Sequence, residues 1–260
     1  MSEFFLELFS EEIPPNLQKN ARESLLQNFK DFFEKKNINF SKDFSFSTPN
    51  RLLILFDGIK PEIHQKEEEI RGPKIDVPEK ALEGFLRSNN FQKKDLYQKE
   101  NDKGIFYFAK KPPKIIKILD LLNENIPLIL DKVSWKKSMR WGDFELYWAR
   151  PLKSILAIFN NKNLTFTYHH LQSSNFTFVD KDFEDKTKIF NNFKIYIDYF
   201  NKSKIIIDQN KRKKLIETQL AKISKKKNLT VEINNKLLDE VTNLVNKPNI
   251  LVCKFDEKFL

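Results

Sequence analysis

The densest run of chemically distinctive residues lies in the segment VSWKKSMRWGDFELYWARPL, residues 133–152. Its tryptophans and cationic residues are Trp135, Lys136, Lys137, Arg140, Trp141, Trp148 and Arg150. Aromatic rings stack on exposed bases while cations meet phosphates, so this mixture suits RNA. The same tryptophans could instead fill the core, with the cations extending beside them into solvent. We favour the core position for the tryptophans, and we expect Arg140 to form a buried bidentate pair with a carboxylate.

A second candidate is a basic segment between Lys202 and Lys227, which holds ten Lys or Arg residues against the acids Asp208 and Glu217. The chain carries a net charge of +10, so this short segment accounts for most of it. Asp208 can cap a helix there. The apolar residues predicted to form its buried stripe are Leu215, Ile216, Leu220 and Ile223. The cations predicted along another side are Lys211, Lys214, Lys222 and Lys225, with Arg212 and Lys226 nearby.

Such a face has two interpretations. A basic surface can bind a polyanion, most simply nucleic acid. The chain is also rich in Lys, Asn, Ile and Phe and has only five Gly, so compositional bias alone could place lysines on a solvated helix.

The sequence offers no recognisable catalytic or metal-binding constellation. Neither GxGxxG nor GxxxxGK[ST] occurs, and neither does CxxC or HxxxH. His169 and His170 are neighbours, which on a strand would point to opposite faces. Cys253 lies in an apolar run and is expected in the core. We therefore predict no catalytic residue, no metal site and no cofactor bound by this chain.

The elements that must position these residues are a mixture of helices and strands. We predict strands at 3–9, 45–59 (with a turn at Pro49-Asn50), 144–161, 164–170, 194–200 and 249–255, and a hairpin at 97–111. We predict helices at 16–36, 78–90, 114–132 (with a break or new start at Pro127), 182–193 and 235–245, a further helix after Asp208, and a linker or long loop at 60–80. This indicates an α+β fold: a mixed, largely antiparallel sheet with packed helices, in one domain or two subdomains.

The expected domains are a strand–helix–strand unit at 1–66, a central α+β domain at 67–200 and a basic helical segment with a final strand at 201–260. No run approaches the ~18 apolar residues of a membrane span. Acidic residues near the N-terminus argue against a secretory signal, and the single cysteine fits a reducing compartment. We therefore expect a cytoplasmic protein without a membrane partner.

Seven segments, in order along the chain, resemble the beta subunit of the bacterial two-subunit glycyl-tRNA synthetase. They are LELFSEEIPP, STPNRL, IRGP, ALEGFLRSNN, DKGIFYF, SMRWG followed by ARPL, and LLDEVTNLVNKPNIL through FDEKFL. In that family a K-R/S-M-R-W-G motif precedes an R-P-x-x-W strand, and the subunit opens on L-x-E-x-x-x-E-E-[IL]-P-P. The resemblance covers essentially the whole chain.

The resemblance implies a role in ATP-dependent charging of tRNA(Gly) with glycine. In the family the alpha subunit carries the class II catalytic core that uses ATP and glycine, and the beta subunit binds tRNA and is required for charging. The expected partners are the alpha subunit and tRNA(Gly), and this chain alone is expected to be inactive. The candidate tRNA-binding residues are Lys137, Arg140, Lys211, Arg212, Lys214, Lys222 and Lys225.

The chain departs from the family pattern at several places. Lys153 and Ser154 stand where the family usually has His-Trp, and SSNFTF at 173–178 replaces a motif close to T-x-G-H-R-F. Family members also continue into an HD-type domain and an anticodon-binding domain, so we expect a fragment or a degraded homologue. The alternatives are a free-standing RNA-binding module and an architectural module derived from such a subunit, neither with a role in charging.

Overall fold

A computed structural model describes residues 2–101, 104–179, 187–253, 256 and 258, and the chain divides into two compact units. The large unit comprises Met1–Pro61 and Leu119–Leu260, and the inserted unit is Glu62–Ile118. The large unit is therefore discontinuous in sequence. The expected domain boundaries, near residues 66 and 200, differ from these unit boundaries.

The described elements alternate irregularly between strand and helix. The strands are β1 (Ser2–Ser10), β2 (Lys42–Thr48), β3 (Arg51–Ile59), β4 (Glu62–Gln65), β5 (Glu68–Lys74), β6 (Leu96–Asn101), β7 (Gly104–Lys111), β8 (Lys114–Lys117), β9 (Met139–Arg140), β10 (Tyr147–Trp148), β11 (Leu152–Phe159), β12 (Lys162–Asn163), β13 (Thr167–Tyr168), β14 (Leu171–Ser174), β15 (Phe176–Phe178) and β16 (Thr187–Ile189). The helices are α1 (Pro15–Lys35), α2 (Glu79–Asn89), α3 (Ile118–Leu130), α4 (Phe193–Lys202), α5 (Gln209–Lys227) and α6 (Asn235–Leu244).

The large unit is built on one seven-stranded sheet in the order β13-β14-β11-β1-β3-β2, with β12 beside β11. Strand β1 is central and antiparallel to both neighbours, β11 and β3. The pairing of β11 with β14 is parallel, whereas the other pairings of this sheet are antiparallel. The predicted α+β class with a mixed, largely antiparallel sheet is confirmed.

Both faces of β1 are covered, which explains why its sequence is apolar without alternation. Successive side chains of a strand point to opposite faces. On one face Phe4 lies 5.2 Å (ring centroids) from Phe29 of α1. On the other face Phe5 lies 4.8 Å from Tyr196 of α4. The predicted helix at 16–36 is confirmed, with Phe29 on its buried side.

The inserted unit contains a β5-β7-β6 sheet, a β4-β8 pair and α2. The predicted hairpin at 97–111 and the helix at 78–90 are confirmed. A Cβ added to Gly72 would come within 3.0 Å of the Phe85 ring, so the glycine allows the IRGP strand to pack against the ALEGFLRSNN helix.

The long loop predicted at 60–80 is wrong, because most of that stretch forms β4 and β5. Its charge run is accommodated by ion pairs to neighbouring strands: Glu67 lies 2.7 Å from Lys110, and Glu69 lies 3.0 Å from Lys99. Charged side chains facing one another across a sheet can stabilise strands that hydrophobic patterning does not predict.

The strand predicted at 194–200 is also wrong, since these residues belong to α4. The Asn192 side chain caps the helix by accepting a hydrogen bond from Ile195 N at 2.8 Å. Tyr196 and Phe200, one helical turn apart, are both buried. Of the helix predicted at 182–193, residues 180–186 lie outside the described residues, and Thr187–Ile189 is strand β16 instead.

Three further expectations need correction. Pro127 lies inside α3 without dividing it, and residues 114–117 form a strand before that helix. Residues 249–253 form no strand within the described chain. Cys253 is exposed there, so it is not a core residue. The predicted helix after Asp208 and the predicted helix at 235–245 are confirmed as α5 and α6.

Candidate nucleic-acid-contacting surfaces

A buried polar cluster joins β1, β3, β15 and α4. The Glu7 carboxylate of β1 accepts hydrogen bonds from the Thr177 and Tyr196 hydroxyls. Arg51 Nε lies 3.4 Å from Glu7 Oε2. The same guanidinium donates to the carbonyls of Phe178 and Val179. Its Cζ lies 4.7 Å from the centroid of the Phe9 ring.

Burial raises the pKa of Glu7, and the Arg51 charge and the two hydroxyl donors act in the opposite direction. Burial, followed by the charge of Glu7, raises the pKa of Tyr196 well above its usual value. All four polar side chains are buried, so no substrate reaches them. The cluster holds the LELFSEEIPP and STPNRL segments together and is structural.

Arg212 is a second buried cation, although we expected it on the surface that contacts tRNA. Its Nε and terminal nitrogens donate to four carbonyls, those of Thr242 (3.0 Å), Ile206 (2.6 Å), Ile207 (3.1 Å) and Ser47 (2.8 Å). The side chain is 0% exposed. Burial lowers the pKa of Arg212 to about 10, so it is still cationic at neutral pH. Arg212 connects α5 to α6 and β2, which removes it from the surface expected to meet tRNA.

The four lysines predicted along one side of α5 do share its outer side. The exposed side chains are Lys211, Lys214, Lys222 and Lys225. On the opposite side Ile216 is buried, and Leu220 and Ile223 are half-buried. Leu215, predicted in the same buried stripe, is half-buried but lies next to the lysines around the helix. From Lys211 to Lys225 the face extends about 21 Å at 1.5 Å per residue. Lys213 points elsewhere, because its Nζ lies 2.7 Å from Asp239 of α6.

Of the three tryptophans expected in the core, Trp148 is buried, whereas Trp135 and Trp141 are half-buried. The Trp148 ring meets Trp135 edge to face at 5.0 Å. Trp141 Nε1 donates to the Trp148 carbonyl at 2.9 Å. These contacts fix a small hairpin in which β9 pairs with β10 and Gly142, at φ +58°, lies in the turn.

Arg140 does not form the buried pair that we expected. It is exposed on β9, directly opposite Tyr147 of β10. Among the residues that the structure describes, no carboxylate or carbonyl engages its guanidinium. Lys136 and Lys137 are also exposed. The expected buried environment of Arg140 is therefore wrong, whereas the RNA-binding role of Lys137 and Arg140 stays a prediction.

The contact between Phe144 of this hairpin and His170 was not predicted from the sequence. The ring of Phe144, in the turn, stacks on His170 with centroids 3.6 Å apart and planes 10° from parallel. Burial, followed by the neighbouring His169, lowers the pKa of His170, so its imidazole is neutral at neutral pH. Because the two rings come from positions far apart in sequence, no local signal could have paired them.

A cleft of about 1110 Å³ lies between α1, β2, α5 and α6. Its lining includes cations and acids in similar number, such as Arg22, Lys213, Asp43 and Asp239. It therefore lacks the positive charge of a polyanion site. In the described chain no three His, Cys, Asp or Glu side chains gather as metal ligands, and no helix is long and apolar enough to cross a bilayer.

Comparison with known proteins agrees with the sequence resemblance. A family model described as glycyl-tRNA synthetase beta subunit matches residues 4–260. The glycine–tRNA ligase beta subunit of Rickettsia peacockii (strain Rustic) is 36% identical over 260 residues, covering 100% of this chain and 39% of that protein. The beta subunits of Rickettsia felis (strain ATCC VR-1525 / URRWXCal2) and Rickettsia prowazekii (strain Madrid E) are each 36% identical with the same coverage. The chain thus spans 39% of the length of these curated relatives.

Proposed function

Because the chain belongs to the glycyl-tRNA synthetase beta subunit family, we propose that it supports the ATP-dependent charging of tRNA(Gly) with glycine. The observation that carries this proposal is the match over residues 4–260, which includes the described fold except Ser2 and Glu3 of β1. The relatives are named as beta subunits, so the proposed partner is an alpha subunit within a hetero-oligomer. The proposed location is the cytoplasm.

In this proposal the chain binds and does not catalyse. ATP and glycine are used by the alpha subunit, and this chain contributes no catalytic residue. The proposed tRNA-contacting residues are the exposed cations Lys137, Arg140, Lys211, Lys214, Lys222 and Lys225. Cationic side chains neutralise phosphates and release counterions, which gives affinity without sequence selectivity. Arg212 is left out because it is buried.

The test is glycine charging by the alpha subunit in the presence and absence of the beta protein that contains this chain. We expect charging of tRNA(Gly) only when both are present. ATP–pyrophosphate exchange with glycine should stay at background with this chain alone. Charging by the alpha subunit that is unaffected by the beta protein would contradict the proposal, as would exchange by this chain by itself.

A second candidate is an RNA-binding or architectural module derived from such a subunit, without a role in charging. A module of this kind would leave the charging rate unchanged. RNA binding without effect on charging would identify the RNA-binding form, and binding to the alpha subunit without RNA binding would identify the architectural form.

A further inference from the structure

The hairpin β9–β10 has a buried side and an outward side, and the two sides differ in chemistry. Neighbouring residues of a strand point to opposite sides, so Tyr147 points away from the side on which Trp148 is buried. Tyr147 is 64% exposed and Phe144, in the turn, is 46% exposed. Arg140 is the cross-strand partner of Tyr147 and shares its side. The hairpin therefore presents two rings and a guanidinium to solvent on a rigid base.

The Phe144–His170 pair adds a preformed stack to this surface. Aromatic rings in proteins usually meet edge to face or with an offset. Here the centroids are 3.6 Å apart and the planes are 10° from parallel. Both residues are exposed, so each ring of the pair keeps surface open to solvent. A planar group can extend such a stack without displacing any core contact.

The charge around this surface selects an anionic planar ligand. Between Asp131 and Arg150 the chain has five cations and the three acids Asp131, Asp143 and Glu145, of which Asp131 lies 3.7 Å from His169 Nε2. Exposed bases carry both features that the surface would accept: a flat aromatic face, and a phosphate on each nucleotide. Bases inside an A-form duplex are stacked on one another and present only their edges, so the surface fits unpaired nucleotides.

We propose that Arg140, Phe144, Tyr147 and His170 form a stacking surface for unpaired bases of the tRNA. This inference rests on the proposed function and deepens it. It assigns the aromatic hairpin to single-stranded segments of the tRNA and leaves the lysine face of α5 to the phosphate backbone. His170 acts here as a neutral ring beneath Phe144, and Arg140 meets phosphate or stacks through its planar guanidinium.

The experiment uses the full beta protein with Phe144→Leu and Tyr147→Leu, singly and together. Leucine keeps an apolar side chain but removes the ring. Binding is measured to three probes: tRNA(Gly), a single-stranded 12-nucleotide RNA, and a 12-base-pair RNA duplex. Stacking contributes about 5- to 100-fold per base in such sites. We expect the double variant to lose at least about tenfold in affinity for the single strand and for tRNA, with duplex affinity unchanged.

Two further variants control for folding and for nonspecific loss of a ring. Phe44→Leu removes a phenylalanine of similar exposure, 43%, from strand β2 and should leave all three affinities unchanged. Phe144→Trp keeps a ring and should retain single-strand affinity. A single strand with one 2-aminopurine gives a direct readout, because stacking on a ring quenches its fluorescence. We expect quenching by the wild type and by Phe144→Trp, and weaker quenching by the double variant.

The outcomes separate this inference from the proposed function. If the wild type binds tRNA(Gly) and supports charging but the double variant binds the single strand equally well, the stacking surface is wrong and the function stands. If the double variant keeps RNA affinity and loses the alpha subunit, the hairpin is a protein interface and the inference is overturned. If the wild type neither binds tRNA(Gly) nor supports charging, the proposed function fails, and this inference fails with it.

Discussion

At the scale of single residues, the motifs that resemble the family hold the fold together more than they face a ligand. Glu7 comes from LELFSEEIPP and Arg51 from STPNRL, and the two meet in the core. Thr242 of the EVTNLV helix and Ser47, which precedes TPNRL, both accept hydrogen bonds from Arg212. A buried ion needs compensating partners, so each such residue depends on the segment that supplies its partner.

Replacing Arg51 with Met tests this dependence. The change leaves Glu7 buried without its cation, so we expect a loss of about 3–5 kcal/mol in the free energy of unfolding at neutral pH. The pKa of Glu7 is already raised in the folded protein by burial, and losing the Arg51 charge raises it further. A raised folded pKa means that the folded state binds more protons, so stability falls as pH rises. The defect should therefore be larger at pH 8 than at pH 5, as measured by urea unfolding.

The matched control is Glu7→Gln combined with Arg51→Met, which has no buried charge in this cluster. Its defect relative to the wild type should show less pH dependence than that of Arg51→Met alone. Arg87→Met, at an exposed position, should change stability by less than about 0.5 kcal/mol. An Arg51→Met defect that does not vary with pH would mean that Glu7 is not the group responsible.

Arg212→Gln distinguishes a structural cation from an RNA-binding one. The glutamine cannot reach all four carbonyls that Arg212 satisfies, and each buried acceptor left without a donor costs about 1–3 kcal/mol. We expect the free energy of unfolding to fall by at least about 2 kcal/mol in urea. Lys211→Gln, its exposed neighbour on the same helix, should be nearly neutral. A stable Arg212→Gln protein with weakened tRNA binding would return Arg212 to the RNA surface.

At the scale of elements, α5 carries its packing residues and its exposed lysines on different sides of the helix. Arg212 and Ile216 face the protein, and the four lysines face solvent. The 3.6-residue period predicted that separation from the sequence, because the two groups of residues repeat on different sides of one helix. Arg212 was assigned to the wrong group because its charge was given more weight than its helical position.

Replacing Lys211, Lys214, Lys222 and Lys225 with Gln in the full beta protein tests the outer face of α5. Each phosphate contact contributes close to one unit to the slope of log affinity against log salt. We expect the circular dichroism spectrum to be unchanged, tRNA binding to weaken, and the slope to flatten by up to about 3 units. The measurement is tRNA(Gly) affinity across a salt series.

A charge-matched control replaces Lys80, Lys94, Lys114 and Lys117 of the inserted unit, all of which are exposed. It removes the same net charge at positions outside the proposed face. If both variants flatten the slope equally, the effect belongs to net charge and not to α5. If neither does, the lysines of α5 are only a solvated surface.

At the scale of the whole molecule, the inserted unit interrupts the large unit at one narrow place. Glu62 and Lys117 are cross-strand partners in the β4–β8 pair. Antiparallel partners have Cα atoms about 4.5–5.5 Å apart, so the chain leaves and re-enters the large unit at nearly the same point. The core of the large unit, with β1 at its centre, is built from segments on either side of the insertion.

Replacing residues 62–117 with Gly-Ser-Gly should therefore leave the large unit folded. We expect cooperative urea unfolding and a near-ultraviolet circular dichroism signal from Trp148 and its neighbours. The control is a deletion of residues 119–130, which removes α3 from the large unit and should abolish cooperativity. A noncooperative transition in the first variant would mean that the two units do not fold separately.

The sequence alone determined the fold class, most helices of the large unit, the outer lysine face of α5 and the family resemblance. These depend on local periodicity, caps and ordered motifs, all of which are visible along one chain. The tertiary structure decided the strand character of 62–74 and the helical character of 194–200. It also decided that Arg140 is exposed, that Arg212 is buried and that Phe144 contacts His170. For 62–74, 194–200 and Arg212 the deciding contacts come from residues distant in sequence: cross-strand ion pairs, a buried ring packed against β1, and the carbonyls of Ser47 and Thr242. Arg140 differs, because it is exposed on its own hairpin. Local propensity cannot predict such contacts, because burial and partner are properties of the folded chain.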